Sequence, residues 1–322
     1  MKVLVTGGAG YIGSVTAARL IEAGHAVTVL DDLSTGHADA VPAGARFVHG
    51  RVHDAAELLG AELASFDGAV HLAAASLVAE SVENPGKYQE NNVVGSDRLI
   101  DALARAGVGR IVFSSTAAVY GEPEYVPIDE DAPCRPVNPY GESKLAIDHL
   151  LGDVAERSRL ATVSLRYFNV AGAYAGLGER HRQESHLIPI ALQAALGQRG
   201  DMVIFGEDYP TPDGTCVRDY IHVADIAAAH LLALEHARPG VHLICNLGNG
   251  SGYSVREVLA TVEQVTGRVL DVRVAGRRAG DPAVLVASAA RARRELGWVP
   301  ERPELSVMVA DAWKLVAAKG AR

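Results

Sequence analysis

The sequence predicts a doubly wound α/β fold, a parallel sheet covered by helices on both faces, joined to a smaller α/β lobe toward the C-terminus. Two observations carry this expectation. Short β-branched runs alternate with helical patterns through the first half of the chain, and the rhythm breaks after Asn169 into Gly-, Pro- and Asp-rich stretches. Strands that each lead into a helix need crossover connections, so the sheet is parallel and buried on both sides.

Taken in order, β-branched and apolar runs place strands at 2–6, 26–31, 46–49, 69–73, 110–115 and 161–168. Apolar residues at helical spacing place helices at 11–23, 54–64, 86–106 and 139–158. The last of these opens on Pro139, whose fixed φ suits a first helical turn. Beyond 169 the pattern gives a helix near 186–197, the turn-rich "GEDYPTPDGTCVRDY", and a strand near 241–246 that rejoins the sheet. From 250 onward two or three helices with short strands are expected. The organisation reads as one domain over 1–168, with segments around 216–247 returning to it, and a lobe mainly over 169–322.

The 322 residues are 48% hydrophobic and 21% charged, an ordinary globular composition. A net charge of −9 argues against nucleic acid, because phosphate binding wants a basic face. Cys134, Cys216 and Cys245 form no C-x-x-C and no zinc spacing, so neither a disulfide framework nor a metal site is expected. "KVLVT" turns at glycine too early for a signal segment, and no apolar run approaches the roughly 20 residues that span a bilayer. The expectation is a soluble cytoplasmic protein with no membrane partner.

"VLVTGGAGYIGSVTAARLIEAG" sets Gly7, Gly10 and Gly13 between the first strand and the first helix. Glycine permits the tight turn and a close backbone approach, and the helix N-terminus offers amides and a dipole to a pyrophosphate. The second strand ends in Asp31 and Asp32. A carboxylate there accepts from ribose hydroxyls and repels a 2′-phosphate, and no Arg follows in "DDLSTG", so NAD is favoured over NADP. Asp31 is the better candidate; Asp32 serves equally well as a solvated turn residue.

Tyr140 and Lys144 in "NPYGESKLAIDHL" stand at i and i+4, so one helix face holds phenol and ammonium side by side. A fixed positive charge favours phenolate and can bring the phenol toward neutral pH as a base. Alone, the pair is equally compatible with a plain amphipathic helix.

The glycine spacing together with this Y-x-x-x-K resembles the extended short-chain dehydrogenase/reductase superfamily. The resemblance implies a Rossmann-type sheet, a Lys that holds the nicotinamide ribose and lowers the Tyr pKa, and a hydroxyl from an upstream strand end. Ser114, Ser115 and Thr116 leave the strand in "RIVFSSTAAVYGEP", and by position Thr116 is the hydroxyl that bonds the reacting oxygen.

Four longer segments, "HLAAASLVAESVENPGKYQENNVVG", "SSTAAVYGEP", "RYFNVAGA" and "PTPDGTCVRDYIHVADIAAAH", resemble the UDP-glucose 4-epimerase family from Lys2 to about Trp298. The resemblance implies that bound NAD oxidises a UDP-sugar at carbon 4 while Tyr140 takes the hydroxyl proton. The 4-keto sugar then turns over and hydride returns to its other face, interconverting UDP-galactose and UDP-glucose. Carried over by motif, the cofactor contacts are Gly7, Gly10, Tyr11, Ile12, Gly13, Asp31, Asp32, Val52, Leu72, Ala73, Ala74, Asn91, Ser114, Tyr140, Lys144 and Tyr167. The substrate contacts are Thr116, Tyr140, Asn169, His186, Leu187, Phe205, Arg218, Arg278, Asp281 and Leu285. Arg218 and Arg278 suit a pyrophosphate on their own chemistry, since guanidinium forks bind such oxygens in pairs; Arg277 could serve in place of Arg278. A homodimer paired through the helices near 86–106 and 139–158 is implied as well.

The chain departs from the family pattern in places. Arg51 replaces the carboxylate expected to hold the adenine amine, leaving the backbone of Val52 or guanidinium stacking to do so. Ser76 replaces a Lys found in some members. Leu285, at a position that is bulky Tyr in some members, is expected to leave room for N-acetylated sugars. A 4,6-dehydratase needs an acid pair after Thr116, where Ala117 and Ala118 stand. A 4-epimerase of another UDP-sugar (N-acetylhexosamine, glucuronate or xylose) stays open. A non-catalytic NAD sensor is disfavoured because Tyr140, Lys144 and Thr116 are all kept.

Overall fold

The computed structural model describes residues 1–278 and 280–320. The first half lays down β1 (Lys2–Thr6), α1 (Tyr11–Glu22), β2 (Ala26–Asp31), β3 (Arg46–His49), β4 (Gly68–His71), α2 (Gly95–Arg105), β5 (Arg110–Thr116), α3 (Pro139–Ser158) and β6 (Ala161–Tyr167). The second half contains β7 (Asn169–Ala171), α4 (Leu187–Ala195), β8 (Met202–Phe205), β9 (Val217–Arg218), β10 (Tyr220–His222), α5 (Val223–His236) and β11 (His242–Leu247). It continues with β12 (Tyr253–Ser254), α6 (Val255–Thr266), β13 (Val272–Ala275), β14 (Val284–Leu285), α7 (Ala290–Leu296) and α8 (Leu305–Gly320).

Seven strands pair in the order β11-β6-β5-β4-β1-β2-β3, every pair parallel. The order reverses at β1, whose C-terminal end therefore opens a crevice between strands that diverge to either edge. β11 does return to the sheet, pairing His242–Leu247 with Thr162–Tyr167. One face is sealed by a core in which Val3, Val5, Val29 and Val163 meet Leu20 of α1 and Ile226 and Ala229 of α5. The other face packs Leu4, Leu30, Ile111 and Phe113 against Leu99, Ile100 and Leu103 of α2 and Ile147 and Leu151 of α3. A separate core joins α4, α6, α8 and β8 through Ile188, Leu192, Ile204, Val258, Val262 and Met308.

Two expected helices differ from the pattern. The 54–64 helix ends at Leu59, because Gly60 takes φ +50, and tighter 3₁₀ turns follow to Ser65. The 86–106 helix is interrupted by a π-turn over Gln89–Val94. The wide turn brings buried Asn92 inward, where Oδ1 accepts from Ala75 N at 2.8 Å and Nδ2 donates to Ala75 O at 3.0 Å and Ser143 Oγ at 3.1 Å. Helical periodicity is blind to one inserted residue, and such bulges concentrate at functional positions.

A buried ion pair locks α3 onto the sheet. Asp148 Oδ2 accepts from Arg166 Nε and Nη2 of β6 at 3.0 and 2.9 Å and from Ser115 Oγ of β5 at 3.1 Å. Arg166 Nη1 also donates to Tyr120 Oη at 3.0 Å, and that hydroxyl donates to Asn246 Oδ1 of β11 at 2.7 Å. Removing one member leaves an uncompensated charge with no water to take it. Arg166→Met is therefore expected to lower stability by about 3–5 kcal/mol in urea unfolding; a loss under about 1 kcal/mol would mean the pair is solvated.

Candidate active site

The glycine turn lies at the crevice. Gly7 has φ +71, and a Cβ there would stand 2.6 Å from Ala73 N. A Cβ on Gly13 would stand 2.0 Å from Gly7 O, so α1 starts tight against the turn. At Gly10 an added Cβ would meet only Gly7 O, at 3.3 Å, so its outer face is open. Gly10 caps α1 without a side-chain bond, leaving first-turn amides and the dipole free for an anion. The residues fit a dinucleotide pyrophosphate here. Ile12 is half-buried against the adjoining core, while Tyr11 Oη donates to Gly172 O at 2.7 Å.

Asp31 braces this turn. Its Oδ2 accepts from Ala9 N at 3.0 Å and its Oδ1 from Leu33 N at 2.8 Å, while burial pushes the carboxyl upward. Asp32 instead closes a local turn, accepting from Ser34 N at 2.9 Å and Ser34 Oγ at 2.6 Å. Leu72 and Ala73 leave β4 beside Gly7, bonded to Thr6 O at 3.1 Å and Thr6 Oγ1 at 3.4 Å, and Ala74 follows them. Val52 is buried against Gly95, with exposed Arg51 preceding it. Asn91 is half-buried and donates to Asn92 Oδ1 at 3.2 Å.

The Tyr140–Lys144 pair is set by the start of α3. Asn138 caps the helix, its Oδ1 accepting from Gly141 N at 2.9 Å, and Pro139 occupies the first turn. Lys144, only 2% exposed, donates through Nζ to Ser114 O at 2.8 Å. Nζ lies 5.9 Å from the centroid of the Tyr140 ring and 4.7 Å from that of Phe113. Thr116 ends β5 and its Oγ1 accepts from Ala118 N at 3.2 Å. That leaves its proton free on the side of Tyr140, and the neighbouring hydroxyl draws the phenol down. Tyr167 ends β6 directly across from Thr116 in register.

One expectation is corrected. Burial pushes the Tyr140 phenol up, opposed by the neighbouring Thr116 hydroxyl rather than by the lysine charge. Lys144 is itself desolvated and pushed down to about 7, with nearby Asp148 pulling the other way. In the protein alone the ammonium is thus only partly charged near neutrality, because its interior position has cost it solvation.

On the C-terminal side, β9 and β14 pair in parallel and set Arg218 opposite Leu285. Arg218 is bonded to Asp281, and its Nη1 donates to Val217 O at 2.8 Å. The Arg278 guanidinium lies 3.8 Å from the centroid of the Phe205 ring. Arg277 is committed elsewhere, its Nε donating to Asp208 Oδ1 at 2.7 Å, so Arg278 is the freer of the two cations. Leu285 packs against the cluster of Val119 and Tyr120, which follows Thr116 directly. Asn169 opens β7, its amide donating to Asp219 O at 3.0 Å. Leu187 starts α4, whereas His186 turns to Glu179, with Nδ1 2.5 Å from Oε1. Ala117 and Ala118 form a 3₁₀ turn capped by Thr116, so no acid follows that hydroxyl.

Two positions went unnoticed in the sequence. Asn92 was masked by its neighbour in "ENNVVG". Asp219 is buried and accepts from Asn249 N, Gly250 N and Ala287 N at 2.9, 3.0 and 3.1 Å, holding the strand that bears Arg218. An acid inside "CVRDYIHV" was the available signal.

Residues 3–248 match the model of the NAD dependent epimerase/dehydratase family. The chain belongs to that family. Among curated relatives, a UDP-glucose 4-epimerase of Corynebacterium glutamicum is 54% identical over 322 residues, covering 100% of this chain and 98% of the relative. A UDP-glucose 4-epimerase of Streptomyces lividans is 57% identical over 316 residues, covering 97% and 95%. Among solved structures, UDP-glucose 4-epimerase from Brucella ovis in complex with NAD superposes with a TM-score of 0.93 at 44% identity, covering 97% of each chain. NAD is the cofactor of this family, and the open glycine turn has the room its pyrophosphate would need.

The displaced lysine has a sign that can be read. Its folded pKa lies below its unfolded one, so between pH 7 and 10.5 the unfolded chain holds the extra proton and stability rises with pH. Cofactor-free wild type should gain on Lys144→Met between pH 6 and 8.5, by on the order of 1 kcal/mol per pH unit above 7. Parallel urea titrations check this; a difference independent of pH would place the amine in water.

Proposed function

We propose that this chain interconverts UDP-galactose and UDP-glucose by transient oxidation at sugar carbon 4, with no net redox change. The observation that carries the reading is the Tyr140–Thr116–Lys144 cluster at the sheet crevice, with Arg218 and Arg278 on the opposing lobe. NAD, when bound, supplies a reversible hydride acceptor. Tyr140 takes the proton of the carbon-4 hydroxyl, with Thr116 hydrogen-bonded to the same oxygen to orient it. Lys144, anchored on Ser114 O, is placed to hold the nicotinamide ribose beside Tyr140. Arg218, oriented by Asp281, and Arg278, stacked on Phe205, hold the pyrophosphate so that the sugar can present either face. We assign dinucleotide binding mainly to residues 1–168 with the 216–247 segments, and the UDP-sugar mainly to the lobe beyond.

Leu285 lies between Arg218 and the loop after Thr116, and a side chain smaller than Tyr there leaves space beside the sugar. On that ground we propose N-acetylated UDP-sugars as a second substrate class. Half-buried Ala102, Leu150 and Val154 on α2 and α3 fit a homodimer interface through those helices. No helix among the described residues is long and apolar enough to cross a membrane.

Incubation with UDP-galactose without added NAD, read by chromatography, tests the reading. Wild type is expected to form UDP-glucose, and Tyr140→Phe to keep NAD binding while losing about a hundredfold or more in rate; near-normal turnover of that variant sinks the assignment. In the same assay UDP-N-acetylglucosamine should also be epimerised, and strict refusal would remove the role given to Leu285.

A further inference from the structure

Between the β7 strand and α4 the chain reads "ERHRQESH", and Glu179, His181, Glu184 and His186 converge within it. One ligand atom from each lies within 4.8 Å of all the others. Glu179 Oε1 is 2.5 Å from His186 Nδ1 and 3.0 Å from His181 Nδ1, and Glu184 Oε1 is 3.3 Å from His186 Nδ1. The two carboxylate side chains are only 7% and 5% exposed. Carboxylates so deep in the protein need a compensating positive charge. His181 Nδ1 is buried and makes no hydrogen bond despite its 3.0 Å approach to Glu179 Oε1.

We propose that these four side chains hold a divalent, zinc-class cation. Two neutral imidazoles and two carboxylates supply two N and two O ligands, the number a closed tetrahedral site requires. Bonds of about 2.0–2.1 Å separate tetrahedral ligand atoms by about 3.3 Å; the pairs here span 2.5 to 3.9 Å, so an ion would displace the proton shared by His186 and Glu179 and draw Glu184 toward His181. The carboxylates bring two negative charges, which a divalent ion neutralises. Imidazole selects against magnesium and calcium, which take oxygen cages, and the lack of thiolate among the four selects against the softest metals.

The position suits a structural ion. The cluster adjoins a small cavity shared with Gly10, Tyr11 and His37 of the nucleotide side. Arg180, between two ligands, makes a bidentate pair with Asp39 at 2.9 and 2.7 Å, and its carbonyl oxygen lies 2.9 Å from His37 Nε2. A bound cation fixes the 179–186 segment against the glycine turn and sets the first turn of α4 at Leu187. The inference stands apart from the reaction at Tyr140 and does not depend on it.

The test uses tag-free, full-length protein. Elemental analysis after dialysis is expected to find close to one zinc-class ion per chain. EDTA-treated protein should rise in Tm by several degrees on adding equimolar zinc, and not with magnesium. The double variant His181→Ala, Glu184→Gln should lose both the metal and the zinc-dependent shift while keeping its far-ultraviolet circular dichroism. Wild type with substoichiometric metal and no response to zinc would overturn the proposal, as would equal zinc binding by the double variant.

Discussion

The site depends on one costly placement: an amine drawn out of water to the last carbonyls of a parallel strand. Lys144 reaches Ser114 O only because α3 is pressed onto the sheet, and α3 is held by Asp148 one turn further along. The Asp148–Arg166 pair and Ser115 tie helix to β5 and β6, the strands that end at Thr116 and Tyr167. The carboxylate also pulls against the desolvation of the amine, so one buried acid serves both position and charge. Burial depresses the lysine and raises the phenol, which leaves both groups poised by their surroundings rather than by each other.

The second constraint is the sheet reversal at β1. Strands diverging from it open a crevice in which backbone can meet an anion, and the glycines make that approach possible. Asp31 braces the turn from β2, and Tyr11 ties the start of α1 to Gly172. Arg218 is set by a short strand beside β14, itself pinned by Asp219. The proposed hydride chemistry on one side and the proposed pyrophosphate capture on the other share a scaffold without sharing residues.

Much of this was legible in the chain. Strand positions followed from apolar runs, because a sheet buried on both faces leaves little freedom in its sequence. The Tyr140–Lys144 face followed from the helical repeat, and the sheet-rejoining strand near 241–246 from its β-branched run. The π-turn was not legible, since periodicity does not register a single inserted residue, and with it Asn92 was missed. The sign of the tyrosine shift was not legible either: it turns on desolvation, which a sequence does not display. The split between Arg277 and Arg278 needed Asp208, a partner set by loop geometry. The Glu/His cluster was not legible because its four side chains lie in a stretch with no regular period.

The central claim is that the hydrogen on carbon 4 leaves and returns to the same carbon, while only the hydroxyl proton passes through Tyr140. UDP-galactose deuterated at carbon 4, converted in ordinary water, measures this directly. The account predicts UDP-glucose that keeps its deuterium at carbon 4. Loss of deuterium to solvent would mean proton abstraction from carbon, and would contradict it.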